Sequence, residues 1–313
     1  MRPNRPIGRR DTLDPNLAQA AFVEPERHAD GTLRDVLTVL TTGQECRFAC
    51  TFCDLWQNTL PFPTPPGAIV RQLDAVLAHF GTQAATIKLY NASNWFDATA
   101  VPRGDWPAIA ARLNEFSRVV VESHPRLCTD VASRFADRLS GQLEVAVGLE
   151  TANADLLARL NKQMTLDDFA TACERLLRWG IDVRTFVLAP PPFVAEADQE
   201  PGSLAEAAGW AMDCGASVVT LLPLRPRQVP GSSRPTPQLI EAAIREASPR
   251  LSGGRRLFVD LWDARQWCDE ATAVRLDRWN RTQQVKALQT SLQSNRTNRV
   301  QPTDVDELKE MPS

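Results

Sequence analysis

From Leu33 onward the chain alternates short apolar runs with longer stretches in which apolar residues recur every three or four positions. The short runs cover residues 35–40, 85–90, 118–122, 144–149, 182–188 and 217–222. They are rich in Val, Ile and Leu and apolar through most of their length, the pattern of strands covered on both faces. The longer stretches, 66–80, 106–116, 128–139, 166–179 and 204–214, read as amphipathic helices. Thr165 stands before Leu166-Asp167-Asp168 as an N-cap followed by early acids, and Gly180 and Gly215 follow their helices as C-caps. Strand–helix units of this length call for parallel strands joined by right-handed crossovers. Six units fall short of the eight in a closed TIM barrel. The predicted fold is therefore α/β, a partial (β/α)6 TIM-like barrel of parallel strands with outer helices, its site at the C-terminal ends of the strands.

The flanks read differently. Residues 1–30 are rich in Pro, Arg and Asp without periodicity, which predicts a mobile arm with one short helix at 17–22. The core is expected over 31–225 and a mainly helical C-terminal extension over 226–313. Within that extension, 223–237 holds five prolines and reads as a loop, 257–261 as a further strand, 264–292 as helical, and 294–313 as a polar, frayed tail. No internal repeat is evident beyond the alternation itself.

Composition narrows the function classes. A net charge of −3 supplies no basic field for gripping phosphates, which weakens a nucleic-acid substrate. No apolar run approaches the roughly 20 residues that cross a bilayer, and the basic N-terminus MRPNRPIGRRDTLDPN lacks the apolar stretch of a secretory signal. A cytoplasmic protein with no membrane partner is expected. Of the seven cysteines, Cys128, Cys173, Cys214 and Cys268 are scattered and read as buried thiols of a reducing compartment. Trp262, Trp267 and Trp279, at near-helical spacing, are expected in the core.

The other three cysteines are bunched. TTGQECRFACTFCDLW places Cys46, Cys50 and Cys53 in a C-x3-C-x2-C spacing directly after the first predicted strand. Three thiolates on one tight loop can occupy three irons of a cubane cluster, leaving the fourth iron open to a small molecule. A structural zinc site needs four N or S ligands, and the histidine nearest in sequence is His79. Gln44, Arg47 and Asp54 make the loop too polar for a chance gathering of core cysteines. With Phe52 just before the last cysteine, the segment resembles the signature of the radical S-adenosylmethionine (SAM) superfamily. That resemblance implies a 4Fe–4S cluster whose open iron chelates the amino and carboxylate groups of SAM, and reductive cleavage to a 5′-deoxyadenosyl radical that abstracts a hydrogen atom.

Further segments resemble a narrower group, the Elongator-like radical SAM proteins that include the archaeosine synthase radical SAM subunit. They are IKLYNASNWFDATAVP (87–102), VVVESHP (119–125), LEVAVGLETANADLLARLNKQMTLDDF (143–169) and VRTFVLAPPPF (183–193). With the cysteine loop they cover roughly residues 33–225. The resemblance implies that Asn91-Ala92-Ser93 occupies the place of the superfamily's Gly-Gly-Glu turn near the SAM amino group, though both glycines and the acid are missing. That departure leaves the side-chain roles of Asn91 and Ser93 open. It implies SAM ammonium and ribose contacts for Glu122 and Glu150 and a basic residue facing the SAM carboxylate at Lys162. Charge-assisted bonds from carboxylates to an ammonium or a vicinal diol make these roles physically sensible. Arg184, on the fifth strand, either points into the barrel toward SAM or simply sits at the start of its strand.

The leading expectation is a radical SAM enzyme that takes electrons from a reductant protein such as a flavodoxin or ferredoxin. A small-molecule or peptide-like substrate is favoured, with a tRNA base as the alternative that the archaeosine resemblance raises. The proline-rich stretches 190–200 and 223–237 could enclose the dry cavity such a radical needs. A non-catalytic iron–sulfur protein for electron transfer or sensing, and a zinc-stabilised scaffold, are the competing classes. No residue beyond the cofactor-binding set stands out as catalytic.

Overall fold

The computed structural model describes residues 8–224 and 232–289. One sheet carries eight strands in chain order: β1 (Ala20–Arg27), β2 (Leu33–Leu40), β3 (Thr86–Tyr90), β4 (Arg118–Ser123), β5 (Gln142–Glu150), β6 (Asp182–Ala189), β7 (Val218–Pro223) and β8 (Arg256–Val259). Strands β2 to β8 are parallel neighbours, and β1 lies antiparallel on β2 at the edge. Between and after them run α1 (Ala68–Phe80), α2 (Trp106–Leu113), α3 (Asp130–Ala136), α4 (Ala154–Arg159), α5 (Leu166–Arg178), α6 (Pro201–Asp213), α7 (Pro237–Ala247) and α8 (Glu270–Thr282). All six predicted strands form, and the partial barrel stands. The N-cap expected at Thr165 is present, and it forms a full capping box in which Thr165 and Asp168 satisfy each other's backbone N–H. Gly180 follows α5 with φ of 70°, a conformation that suits glycine.

The two faces of the sheet are chemically opposite. Odd-numbered positions such as Ile87, Leu89, Val119, Val121, Val145, Val147, Val183 and Val219 belong to the apolar core between sheet and helices. Even-numbered positions Thr38, Lys88, Glu144, Arg184 and Arg256 share the other face through the strand register. That inner face carries charges, although the strands read as apolar through most of their length. Arg184 on β6 forks both of its terminal nitrogens onto Glu26 on β1, at 2.6 and 3.1 Å, and donates its Nε to Glu144 at 2.6 Å. Lys88 on β3 reaches Glu26 at 2.6 Å and Glu24 at 3.2 Å. β1 and β6 are five strands apart, about 24 Å in a flat sheet at the usual spacing. Their contact therefore requires the sheet to curl around this cluster.

β1 overturns the expected arm over residues 20–27 and the short helix at 17–22. The physical reason is the destination of its charges. AAFVEPER reads as polar coil, yet Glu24 and Glu26 point inward to buried cations. Pro25, which lacks an N–H, is tolerated because β1 is an edge strand. β8 overlaps the anticipated further strand at 257–261. Trp279 is buried as expected and donates Nε1 to the Leu257 carbonyl at 2.8 Å, and Trp267 packs partly buried against the core. Trp262 departs from expectation: it is 46% exposed and leans on Phe22 at a ring separation of 5.2 Å. Residues 1–7 of the arm, the centre of the proline loop and the polar tail lie outside the described residues.

Burial alone would raise the Glu26 carboxyl, but Arg184 and Lys88 outweigh it and hold the group far below the ordinary value of 4.5. Glu144 is likewise lowered, by Arg184 and Arg118 against burial. A depressed carboxyl stabilises the fold fully above its unfolded value and loses that contribution as the pH falls through the folded one. The acid limb of stability, below about pH 4.5, is therefore expected to be shallower in Glu26→Gln than in the wild type. Glu26→Ala, which strands Lys88 and Arg184 without their partner, is expected to lower the unfolding free energy by about 3–5 kcal/mol. Urea titrations across pH check both. Identical acid limbs, or an Ala variant as stable as the wild type, would refute the structural weight assigned to β1.

Candidate active site

The C-terminal ends of the parallel strands gather most of the sequence-predicted site residues. Cys46, Cys50 and Cys53 follow β2, Asn91-Ala92-Ser93 follows β3, Glu122 lies near the end of β4, Glu150 ends β5, and Lys162 sits between α4 and α5. The cysteine loop is pinned from several sides. Asn161 donates its side-chain amide to the Ala49 carbonyl at 2.7 Å, and the Thr51 N–H donates to the Leu160 carbonyl at 2.9 Å. Arg47 bonds Asp97 at 2.6 Å, and Phe52 packs against a small apolar cluster of Leu160, Leu188 and Leu224.

All three thiols are raised above the ordinary cysteine value. Burial is the first cause in each case, and the Lys162 cation works against it at Cys46 and Cys50. Cys50 is pushed up to about 11. Cys50 also feels the charge of Cys46, and Cys53 that of Cys50 and Cys46. Buried thiols so placed ionise readily only when a metal replaces the proton. Asn94, which sequence reasoning passed over, links the loop to the sheet. Its Nδ2 donates to the Cys46 sulfur at 3.1 Å and its Oδ1 accepts the His124 N–H at 2.7 Å.

His124 was also missed, because nearness in sequence pointed to His79. Its ring stacks on Phe48 of the cysteine loop at 3.7 Å. Nδ1 accepts from the Arg126 N–H at 3.2 Å, so Nε2 carries the proton donated to the Lys162 carbonyl at 2.8 Å. Burial, then the nearby Lys162 cation, lowers His124 to about 3, so the ring is neutral. Both nitrogens are committed, and His124 acts as a clamp between the loop and the Lys162 segment.

The Asn91-Ala92-Ser93 turn folds over Glu122. The Asn91 N–H donates to the Glu122 carboxylate at 2.6 Å, and the Ala92 and Ser93 N–H groups also favour the ionised form. Burial nevertheless pushes Glu122 up to about 7. Ala92 holds the turn with φ of 51°, a left-handed conformation unusual for a residue other than glycine. Asn91 Nδ2 and Ser93 Oγ are buried with no hydrogen-bond partner. Such orphaned polar atoms call for an explanation, of which a ligand is one.

Glu150 and Lys162 meet in a buried ion pair. Glu150 reaches it through a bulge in β5 and φ of 71°. Gly148 makes room: a Cβ there would lie 2.4 Å from the Glu150 carboxylate and 2.6 Å from Lys162 Nζ. Beside the pair opens a cavity of about 320 Å³ lined by Glu150, Asn153, Val187, Pro190, Pro191 and Gln199, among others. Arg184 is the exception among the predicted residues. It is the third residue of β6, near the opposite end of the sheet, with its donors engaged by Glu26 and Glu144. Of the two alternatives, it takes the place near the start of its strand, and its side chain ends in the charged cluster.

Among the described residues no helix is long and apolar enough to cross a membrane. An uncharacterized protein of Methanocaldococcus jannaschii is 21% identical over 233 residues, 70% of this chain and 64% of that protein. The archaeosine synthase subunit beta of Methanosarcina acetivorans is 25% identical over 179 residues, 53% of this chain and 51% of that protein. The chain thus spans less than two thirds of the length of either relative. Among solved structures, coproporphyrinogen III oxidase from Escherichia coli aligns with a TM-score of 0.48 at 13% identity, covering 71% of this chain and 53% of that one. The resemblance to the group containing archaeosine synthase subunits stands. The family model described as Radical SAM superfamily matches residues 40–198, from the end of β2 to just before α6, and the chain belongs to that superfamily.

Proposed function

We propose that this chain holds a 4Fe–4S cluster on Cys46, Cys50 and Cys53 and uses SAM as the source of a radical for hydrogen abstraction. The carrying observation is the convergence of three raised, mutually adjacent thiols with two strand-end carboxylates and one buried lysine. When bound, the cluster supplies the electron that cleaves SAM into methionine and a 5′-deoxyadenosyl radical. Among the described residues no three His, Cys, Asp or Glu side chains are grouped around a single metal ion. A cubane fits this donor set, because its three thiolates each take a different iron and need not converge on one point.

The chain's own groups divide the binding work. Glu122, held up to about 7 by burial, gains a counter-ion when an ammonium enters, which restores its charged form. Asn91 Nδ2 and Ser93 Oγ offer unused hydrogen-bonding capacity beside it. Lys162 presents a charge to a carboxylate and Glu150 presents oxygens to a ribose diol, each by loosening their mutual pair. Phe52, Leu160, Leu188 and Leu224 keep water from this end of the barrel. The 320 Å³ cavity at Glu150 suits the reacting part of a small-molecule or peptide-like substrate better than a whole macromolecule. A tRNA base, as the archaeosine relatives' name suggests, is the alternative substrate. A cytoplasmic flavodoxin or ferredoxin is the proposed reductant.

One observation favours a second reading, an iron–sulfur protein without SAM chemistry. The N–H groups of the Asn91-Ala92-Ser93 turn are engaged by Glu122 and so are not free for a ligand. Measurement of 5′-deoxyadenosine separates the two. Anaerobically reconstituted and dithionite-reduced protein is expected to form it from SAM, and Cys50→Ala to form none. A cluster that assembles but neither binds nor cleaves SAM would establish the second reading, and failure to assemble a cluster would end both. Glu122→Gln removes the charge that meets the ammonium and is expected to weaken SAM binding by about tenfold or more. Gly148→Ala drives a Cβ into the Glu150–Lys162 pair and is expected to have a similar effect while the fold is retained. Equilibrium dialysis with labelled SAM and circular dichroism check both variants. Wild-type affinity in both would remove these residues from the SAM site.

A further inference from the structure

A second cleft, of about 540 Å³, opens on the rim beyond β7 and β8, between Arg234–Gln238 at the start of α7 and Arg265–Thr272 leading into α8. Both helices follow their strands, so the cleft lies on the face where the parallel strands end, outside the sheet. Three guanidinium groups line it, those of Arg234, Arg265 and Arg275. Two carboxylates share the lining, and each is already occupied. Glu241 pairs with Arg275 at 3.0 Å, and Asp269 caps α8 through the Thr272 N–H at 2.8 Å. The positive end of the α8 dipole offsets the Asp269 charge. Among the described residues Arg234 and Arg265 have no carboxylate partner, and both are exposed. In a chain of net charge −3, two unmatched guanidiniums in one concavity are a local reversal of sign.

Planar guanidinium forks match the oxygens of a phosphate in geometry as well as charge. Three guanidiniums against two carboxylates leave the lining with one net positive charge, and the forks of Arg234 and Arg265 lie outside the Glu241–Arg275 pair. Pro235, Pro237 and Trp267 supply an apolar wall for the organic part, and the volume is that of a small-molecule site. α/β barrels often hold phosphate in loops that follow their last strands, where helix N-termini face the ligand.

We propose that this cleft binds a phosphate monoester group carried by a small organic ligand. As a statement about the substrate it rests on the radical SAM reading, with the phosphate gripped on the rim while the reacting carbon enters the barrel. As a binding site it stands on its own residues. Arg275, braced by Glu241 and the Thr272 hydroxyl, forms the fixed side of the grip, and Arg234 and Arg265 form the side that closes on the anion.

The test is isothermal titration calorimetry of the full, cluster-reconstituted chain with phenyl phosphate and with inorganic phosphate, SAM binding being measured separately. One site per chain is expected, tighter for phenyl phosphate because of the apolar wall. Arg234→Gln and Arg265→Gln are each expected to weaken it about tenfold, the double variant to abolish it, and Arg265→Lys to retain part of it. Both arginines are exposed, so the variants should fold normally. No binding at millimolar phosphate, or wild-type affinity in the double variant, would overturn the proposal. Phosphate binding without SAM binding would sink the proposed reaction and leave this site standing; SAM binding without phosphate binding would do the reverse.

Discussion

The ion cluster inside the sheet is the constraint on which the rest of the molecule depends. Arg184, Lys88 and Glu144 are buried with Glu26 half-buried among them, and a buried charge without its partner is far more costly than the pair is worth. They come from β6, β3, β5 and β1, so pairing them curls the sheet and draws its N-terminal edge strand inward. The curl in turn brings the C-terminal strand ends together on one rim. Without it, the cysteine loop after β2 and the bulge at the end of β5 would be too far apart to share a site.

On that rim the loops are held by commitments that run between segments far apart in sequence. Asn94 binds Cys46 and the backbone of His124, while His124 stacks on Phe48 and holds the Lys162 carbonyl. Asn161 and Leu160 tie down the backbone on either side of Cys50. Loops fixed in this way present ligands in a set geometry at little further cost in order, the condition for a site whose partners must meet a cofactor at several points. The groups left unsatisfied, Asn91 Nδ2 and Ser93 Oγ, belong to the turn that folds over the Glu122 carboxyl, itself raised by burial. That is where a cationic ligand is proposed.

Much of this was legible along the chain. Runs of Val, Ile and Leu with amphipathic stretches between them marked all six expected parallel strands, because such strands repeat one local pattern. The C-x3-C-x2-C spacing marked the cysteine loop because all its ligands come from a single segment. Glu122, Glu150 and Lys162 could be named because each stands at a strand end, or a fixed distance after one, within segments that resemble a family. β1 could not be found, since Glu24 and Glu26 carry the mark of solvent and their cationic partners lie more than sixty residues away. Trp262 was misplaced for a similar reason, its spacing suggesting a core helix while its ring lies on the rim beside Phe22.

Sequence alone thus determined the parallel α/β architecture, the cysteine triplet and the family to which it belongs, since these rest on local periodicity and on spacing within one segment. Tertiary structure alone decided that Arg184 serves the buried cluster, that His124 and Asn94 clamp the cysteine loop, and that Gly148 must lack a side chain beside the Glu150–Lys162 pair. It also decided that Arg234 and Arg265 face one cleft. These depend on which side of a curled sheet a residue faces and on which distant segment meets it there. Periodicity fixes a side chain's direction only relative to its own strand, so no pattern along the chain could have specified them.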